Sequence, residues 1–219
     1  MEGLNRMDKH LRVITEHHIR KTLAALKANN MDGYYVQTPD ELHRLLDTLI
    51  RDGETLSVGG SETLFHTGTI DYLRGRDVHF LDRYEPGLTP EQLEAIRIGA
   101  FTADTYITSS NAITEKGELY NVDGRGNRVA AMIYGPKQVI VIAGANKLVS
   151  DLDEADLRIR TVAAPANNER LSTGNPCTKT GYCADCRLDS RICSAYVVLA
   201  HQAAKGRIKV ILLPDGYGY

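Results

Sequence analysis

The chain of 219 residues carries 26 lysines and arginines against 28 aspartates and glutamates, a formal net charge of −2 with histidine neutral. This balance argues against a basic nucleic-acid groove and against docking on an anionic membrane. No apolar run reaches the roughly 18 residues that cross a bilayer, and Met1–Arg6 lacks the apolar core of a signal peptide. We therefore expect a cytoplasmic protein with neither nucleic acid nor membrane as a partner.

Helices are predicted from the spacing of apolar residues and from typical first residues. Apolar side chains recur at near-helical spacing between Asp8 and Ala28, with charged side chains between them. Thr38 begins the sequence Thr-Pro-Asp-Glu, and Thr89 begins the sequence Thr-Pro-Glu-Gln. Each places a capping hydroxyl before a proline at the first helical position and a Glu or Gln at the third, which is typical of a helix N-terminus.

Short β-rich runs lie between these helical patterns. The clearest is an almost continuous apolar run that fits a strand covered on both faces; it spans residues 138–143, and the others span residues 55–58, 78–81, 105–108 and 208–213. Strands that alternate with helices predict an α/β fold with a mostly parallel sheet and flanking helices. No linker divides the chain, so we expect one α/β domain over residues 1–219. It would include an N-terminal helical segment, residues 1–36, and a cysteine-rich, metal-binding loop, residues 172–194.

A glycine-rich turn follows the first of these strands. Its residues are Gly59, Gly60, Ser61, Glu62 and Thr63. Glycine lets the backbone approach a ligand closely, and the helix that follows would offer free N–H groups beside two hydroxyls. The turn therefore suits a phosphate, a pyrophosphate or a carboxylate, although an ordinary strand-to-helix turn is the alternative. It matches neither the Walker loop nor the dinucleotide-binding fingerprint.

A second polar stretch, residues 108–128, begins at the carboxyl end of a predicted strand, where open α/β sheets bind ligands. Its candidate ligand-binding residues are Ser110, Asn111, Asn121, Gly124, Arg125, Gly126 and Asn127. Arg125 and Arg128 would each clamp a carboxylate or phosphate in a bidentate manner. Glu118 and Asp123 are the candidate catalytic acid and base. We expect residues 115–118 to form the solvated tip of a β-hairpin.

All four cysteines of the chain fall within one short segment: Cys177, Cys183, Cys186 and Cys193. In a reducing compartment such clustering favours metal or redox chemistry over disulfides. Four thiolates suit an iron–sulfur cluster or a tetrahedral zinc ion. A zinc ribbon draws two paired knuckles together, whereas this segment has the single pair Cys183 and Cys186. We therefore favour a [4Fe–4S] cluster, with zinc as the alternative.

Several segments between residues 109 and 149 point to a known family. They are Ser110-Asn111-Ala112, Glu118-Leu119-Tyr120-Asn121-Val122-Asp123-Gly124, Gly126-Asn127-Arg128-Val129-Ala130-Ala131, Val141-Ile142-Ala143-Gly144 and Asn146-Lys147. Together with the glycine turn they resemble the LUD domain family, in the form of the lactate-utilisation protein C type. The resemblance implies a fold like that of ribose-5-phosphate isomerase, glucosamine-6-phosphate deaminase and the CoA transferases.

In that superfamily the ligand lies over loops that match residues 59–61 and 124–127, and a lysine after the next strand matches Lys147. The isomerases carry Asp-Gly-Ala-Asp-Glu where this chain has residues 109–112, which lack the proton-shuttling acids, so isomerase activity is not expected. Of the Ser-Glu-Asn-Gly motif of the CoA transferases, Glu115 and Gly117 are present.

The resemblance implies a part in the utilisation of lactate or a related small hydroxy acid. An anionic metabolite would lie between the two glycine-rich turns, and electrons would pass through the cysteine-bound cluster. Other subunits of a lactate-oxidation complex would be partners. The resemblance leaves undecided whether the protein also forms a homo-oligomer. The alternatives are a CoA or acyl transferase with Glu115 or Glu118 as nucleophile, and a non-enzymatic metal-binding redox subunit. Electron transfer requires the cysteine segment to cover the sheet end that carries Gly59 and Gly124.

Overall fold

The computed structural model describes residues 7–219, so the prediction about a signal peptide at Met1–Arg6 lies outside the described residues. The helices are α1 (Lys9–Ala28), α2 (Pro39–Leu49), α3 (Glu62–His66), α4 (Thr69–Arg74), α5 (Pro90–Gly99), α6 (Asn127–Ile133), α7 (Leu152–Arg158), α8 (Ala164–Arg170) and α9 (Pro176–Thr180). The strands are β1 (Asp32–Tyr35), β2 (Thr55–Val58), β3 (His79–Leu81), β4 (Thr105–Thr108), β5 (Ala112–Thr114), β6 (Leu119–Asp123), β7 (Gln138–Gly144), β8 (Leu148–Val149), β9 (Ala195–Leu199) and β10 (Ile208–Leu213). A π-helical turn, Ile159–Ala163, joins α7 to α8.

The predicted helix starts are confirmed by their capping contacts. Asp8 accepts hydrogen bonds from the backbone N–H groups of His10 and Leu11 and so begins α1. Thr38 caps α2, and Thr89 forms a complete capping box with Gln92 at the start of α5. Each such cap satisfies backbone donors that a helix leaves free at its first turn, a contribution of about 1 kcal/mol.

The main sheet of the described residues has six strands in the order β1-β10-β7-β4-β2-β3, and every neighbouring pair is parallel. This confirms the predicted α/β fold with a mostly parallel sheet. Central strand β7 is buried on both faces: Val139 and Val141 join one apolar layer, and Ile140 and Ile142 join the other. Each such side chain contributes about 1.5–3 kcal/mol of hydrophobic stabilisation, so the apolar run of β7 fixes the centre of the fold.

A second, smaller sheet of the described residues has the order β8-β5-β6-β9. Its β5–β6 hairpin is antiparallel, and residues 115–118 form the connecting tip, as predicted. Strand β9 pairs antiparallel with β6, which places Ala195 opposite Asp123. The cysteine-rich segment therefore ends beside the polar stretch that follows β6.

Two predictions of local structure need correction. The segment over residues 1–36 is not helical throughout, because Asp32–Tyr35 forms edge strand β1 and pairs with β10. The segment over residues 172–194 is mostly irregular, as expected, but contains the short helix α9. Within residues 7–219, no helix has the length and apolar character needed to cross a membrane.

Candidate anion-binding site

A cavity of about 280 Å³ opens at the carboxyl ends of the parallel strands. Strands β2, β4 and β7 end there and deliver the turns that begin at Gly59, Ser109 and Ala145. Ten of the predicted site residues line the cavity: Gly60, Ser61, Glu62, Ser110, Asn111, Asp123, Gly124, Arg125, Asn127 and Lys147. The turns after β2, β4 and β7 meet because parallel strands carry their carboxyl ends to one edge. The turn of residues 124–127 follows β6 of the smaller sheet, and Arg128 ties it to this edge through the carbonyls of Ser109 and Val122.

The other predicted ligand-binding residues support the cavity from behind. A Cβ on Gly59 would lie 2.5 Å from Thr108 Oγ1, so glycine is needed here for strand packing. Gly126 has φ of +82° and precedes α6, a conformation that favours glycine. Thr63 is buried behind the wall, and Asn121 is fully buried.

The predicted acids separate in space. Asp123 lines the cavity, 3.7 Å from Arg128 Nε. Glu118 is not among the lining residues; its carboxylate accepts a hydrogen bond of 2.8 Å from Thr114 Oγ1 within the hairpin. Glu115 lies at the hairpin tip and pairs with Lys21 of α1. Neither glutamate proposed as a transferase nucleophile therefore faces the cavity.

The cavity is strongly cationic. Six basic side chains line it (Arg83, Arg97, Arg125, Arg128, Arg170 and Lys147) against the two carboxylates of Glu62 and Asp123. Arg83, Arg97 and Arg170 come from the loop after β3, from α5 and from α8. Sequence reasoning missed these three because each stands outside any motif.

The three arginines that the sequence did not reveal differ in how many of their N–H donors are bonded to other groups of the protein. The guanidinium of Arg83 lies over Gly60, since a Cβ on that glycine would be 3.5 Å from Arg83 Nη1. Arg97 pairs with Glu94 at 3.0 Å, yet its Nε is buried without a partner within the described residues. Arg170 lies 3.4 Å from Glu62. Unsatisfied and partly satisfied guanidinium groups are the donors that a carboxylate or phosphate binds in pairs.

Arg128 is engaged by the protein rather than open to a ligand. Its Nη1 donates to Asn121 Oδ1 at 2.7 Å and to the carbonyl of Ser109 at 3.1 Å. Its Nη2 donates to Asn111 Oδ1 at 2.9 Å and to the carbonyl of Val122 at 3.0 Å. The predicted residues Asn111, Asn121 and Arg128 thus bond to one another and tie the end of β4 to β6.

Lys147 has the most unusual surroundings of the lining residues. It is 3% exposed, and its Nζ donates to Thr63 Oγ1 at 2.8 Å and to Ser109 Oγ at 3.0 Å. Burial, with smaller contributions from the positive charges of Arg158 and Arg128, lowers the pKa of Lys147 from 10.5 to about 7. An ammonium group here has lost its hydration and gained no carboxylate, so the neutral amine is favoured.

Replacing Lys147 by methionine is expected to remove a pH dependence of stability. The pKa of Lys147 is about 7 in the folded protein against 10.5 as its ordinary value, so the folded state binds fewer protons between these limits. The contribution of Lys147 to the free energy of unfolding therefore rises as the pH increases from 7 to 10.5. Urea unfolding of both proteins should show that the free energy of unfolding of the wild type, relative to that of the variant, increases from pH 7 to pH 10.5. A difference that is constant with pH would contradict the assignment.

The four cysteines line one small cavity together with Arg191 and Ile192. All four are free thiols. The backbone N–H of Asp185 points to Cys183 Sγ at 3.4 Å, and Asp185 has φ of +46°. This left-handed residue turns the backbone so that Cys183 and Cys186 face the same cavity.

Burial raises the pKa of Cys177 and raises that of Cys193 to about 11, and the neighbouring cysteines add to both shifts. The thiolates would need a positive partner, which a bound metal supplies. Within residues 7–219, no group of three or more His, Cys, Asp or Glu side chains could hold a metal ion as they stand. The thiols therefore share a cavity without converging on one ion position.

The cysteine cavity and the cationic cavity are adjacent. Ile192 lines both of them. A Cβ on Gly124 would lie 3.3 Å from the carbonyl oxygen of Ile192, so this glycine allows the two segments to touch. The backbone N–H of Ser194 donates to the carbonyl of Asp123 at 2.9 Å. The cysteine segment thus lies beside Gly124 and next to the cationic cavity.

Residues 215–219 fold back beside the cavity. Thr63 Oγ1 donates to the carbonyl of Tyr217 at 2.9 Å, and Asn146 Nδ2 donates to the carbonyl of Gly218 at 2.9 Å. The backbone N–H of Gly218 points to His66 Nδ1 at 3.2 Å. Tyr219 lines the cavity itself. His66 therefore helps to hold the C-terminal segment in place beside the cavity.

The fold and the site together define an open α/β protein with a cationic, ligand-sized cavity at the carboxyl ends of its parallel strands. A family model described as LUD domain matches residues 19–213, and the chain belongs to this family. The fold is similar to that of a solved structure described as a DUF162 family protein from Deinococcus radiodurans, at 14% identity and a TM-score of 0.50. The similarity covers 92% of this chain and 98% of the other. No curated protein matches the sequence.

Proposed function

We propose that this LUD domain protein binds a small metabolite with a carboxylate or phosphate group and acts in the utilisation of lactate or a related hydroxy acid. The observation that carries the proposal is the excess of six basic side chains over two carboxylates in one cavity. Such an excess would be unfavourable without a counter-charge, because like charges in a partly enclosed space repel one another. A bound anion supplies that counter-charge.

The cations that are open to a ligand are a subset of the six. Arg128 is saturated by protein acceptors, and Arg170 shares its charge with Glu62. Among the described residues, no carboxylate oxygen lies within 4.0 Å of Arg83, Arg125 or Lys147. Of these, Arg83 and Arg125 would make the main charge-assisted bonds to an anion, with Ser61 as an additional hydroxyl donor. The amine of Lys147 already donates to Thr63 and Ser109.

The proposal includes a [4Fe–4S] cluster held by the four cysteines. The donor set fits, because four thiols surround one cavity and soft thiolates favour iron–sulfur clusters or zinc. Zinc is the alternative occupant of the same four thiols. When bound, the cluster would supply one-electron chemistry beside the ligand. Ile192 and Gly124 form the contact between the two cavities.

Partner subunits of a lactate-oxidation complex remain part of the proposal as the source or destination of electrons. The transferase alternative lacks a structural argument, since Glu115 and Glu118 are bonded within the hairpin and outside the cavity. A non-enzymatic metal-binding subunit would share the cysteine site but would have no need for the cationic cavity.

Replacing Arg125 by alanine is expected to weaken anion binding by roughly 2 kcal/mol, or about 30-fold in Kd, the scale of a lost charge-assisted bond. The measurement is calorimetric titration of the purified protein with lactate, pyruvate and inorganic phosphate in turn. Arg44→Ala is the matched control, because it removes an equally exposed positive charge from α2, outside the cavity. Loss of affinity in both variants would indicate general electrostatics, and unchanged affinity for every anion would refute the proposal.

A further inference from the structure

The amine of Lys147 is held by two hydroxyl groups whose own protons are engaged elsewhere. Thr63 Oγ1 donates to the carbonyl of Tyr217 at 2.9 Å, and Ser109 Oγ donates to the carbonyl of Ser110 at 3.3 Å. Both hydroxyls therefore accept from Lys147 Nζ, at 2.8 and 3.0 Å. A neutral amine has two N–H groups and one lone pair, so two acceptors take both N–H groups and leave the lone pair at the remaining position.

Lys147 lines the cationic cavity, although the residue is 3% exposed. With Thr63 and Ser109 taking two directions at Nζ, the remaining direction is the one open to a ligand in this cavity. Among residues 7–219, no carboxylate oxygen lies within 4.0 Å of Nζ, and the charged groups that act on it are Arg158 and Arg128. A lysine that is desolvated beside other cations, with no acid to hold its proton, is the form of lysine that acts as a nucleophile.

The cavity therefore combines an amine nucleophile with guanidinium groups that bind an anion. We propose that Lys147 forms an imine with the carbonyl carbon of a small anionic carbonyl compound of the 2-oxo acid class. In this step the C–N bond forms as Nζ adds to the carbonyl. The carbonyl oxygen then leaves as water with the two protons that the neutral amine carried, and nothing is oxidised or reduced. The inference rests on the proposed anion-binding function, because the arginines must hold the carboxylate.

The two hydroxyls have a positioning role in this step. As acceptors they fix the direction of Nζ, and their bonds to backbone carbonyls keep them from donating to the amine lone pair. Ser109 also lines the cavity, and its Oγ accepts from Lys147 Nζ at 3.0 Å, so this residue connects the amine to the cavity wall. Ser109→Ala should therefore slow imine formation without removing the nucleophile.

Trapping with borohydride tests the inference directly on the wild-type protein. The protein is incubated near pH 7.5 with pyruvate, reduced with sodium borohydride, digested and mapped by mass spectrometry. The expected product is a Lys147 peptide heavier by pyruvate, less one water and plus two hydrogens. Its modification should exceed that of the exposed Lys137 and Lys116 peptides by at least about tenfold, because neither of these lysines lines the cationic cavity that would hold the carboxylate of pyruvate. Lactate, which has a hydroxyl group in place of the ketone of pyruvate, should give no product.

Excess inorganic phosphate should protect Lys147 from modification, and Lys147→Met should show no modification at this position while retaining its far-ultraviolet circular dichroism. Equal modification of Lys147, Lys137 and Lys116, or none at Lys147, would overturn the inference. If calorimetry shows anion binding while no imine is trapped, the imine fails and the proposed function stands. If calorimetry shows no anion binding and phosphate gives no protection, the proposed function itself fails.

Discussion

Replacing Cys183 by serine is expected to abolish binding of the proposed metal and to disorder residues 174–194 while both sheets stay folded. A serine oxygen is a poor substitute for a thiolate at an iron or zinc site, and metal binding of this kind is coupled to local folding. The segment has one helix of five residues, α9, and is otherwise irregular. Its order depends on side-chain hydrogen bonds, such as those of Asn175 to Ser190 and of Arg191 to the carbonyl of Cys186, which hold the loop around the cysteines. The apolar layers on the two faces of the six-stranded sheet contain no cysteine.

The measurement is iron and zinc content, with the visible spectrum, of protein purified without oxygen. Iron with cluster absorbance in the wild type supports the cluster, and zinc alone supports the alternative. Lys179→Ala is the control, since this exposed lysine lies on α9 between the cysteines and contributes no thiol. Full metal content in the serine variant, or two disulfides in the anaerobic wild type, would contradict the prediction.

Most of the main sheet was predictable from the sequence because its central strands are covered on both faces. Strand β7 is a nearly uninterrupted apolar run, and β10 has the same character. The edge strand β1 was missed because Asp32–Tyr35 is short, contains a glycine and is only partly buried. Strand β9 was missed because it depends on pairing with β6, more than 70 residues earlier in the chain. Local patterns carry no information about such a pairing.

The candidate site was predictable where it depends on turns at strand ends. The glycine turn after β2 and the turn after β4 face one cavity because parallel strands end at a common edge. The stretch after β6 also lines this cavity, although β6 belongs to the smaller, antiparallel part of the fold. The arginines at positions 83, 97 and 170 were not predictable, since each comes from an element whose placement depends on the tertiary fold. The adjacency of the cysteine segment was also undetermined in the sequence. It follows from the β6–β9 pairing, which brings Ala195 to Asp123.

The structure also separates two neighbouring arginines that the sequence presents as equivalent. Arg125 is exposed, whereas Arg128 is 9% exposed and makes four hydrogen bonds to protein oxygens. Burial lowers the pKa of Arg128, so its charge is retained at a cost that these bonds offset. One arginine is therefore available to a ligand, and the other holds the cavity wall in place.

Replacing Arg128 by methionine is consequently expected to lower the free energy of unfolding by about 3 kcal/mol or more. Methionine preserves much of the side-chain volume but removes the guanidinium donor of the Val122 carbonyl and of the Asn121 amide oxygen. The carbonyl of Ser109 keeps only its longer bond from Thr108 Oγ1, at 3.3 Å. Each bond to a charged group contributes about 1.5–3 kcal/mol, and water from the adjacent cavity would recover part of the loss. Asn111 Oδ1 keeps its bond from the backbone N–H of Val122, at 2.9 Å, so the hairpin remains attached.

Urea unfolding of Arg128→Met beside Arg125→Met distinguishes the two roles. The Arg125 variant should unfold within about 0.5 kcal/mol of the wild type, as expected for an exposed side chain, and should lose anion affinity alone. The Arg128 variant should lose both stability and affinity, because the ends of β4 and β6 that it joins form the cavity wall. Equal stability of the two variants would show that the buried network contributes little. In that case Arg128 would have to be reassigned from the support of the wall to the ligand.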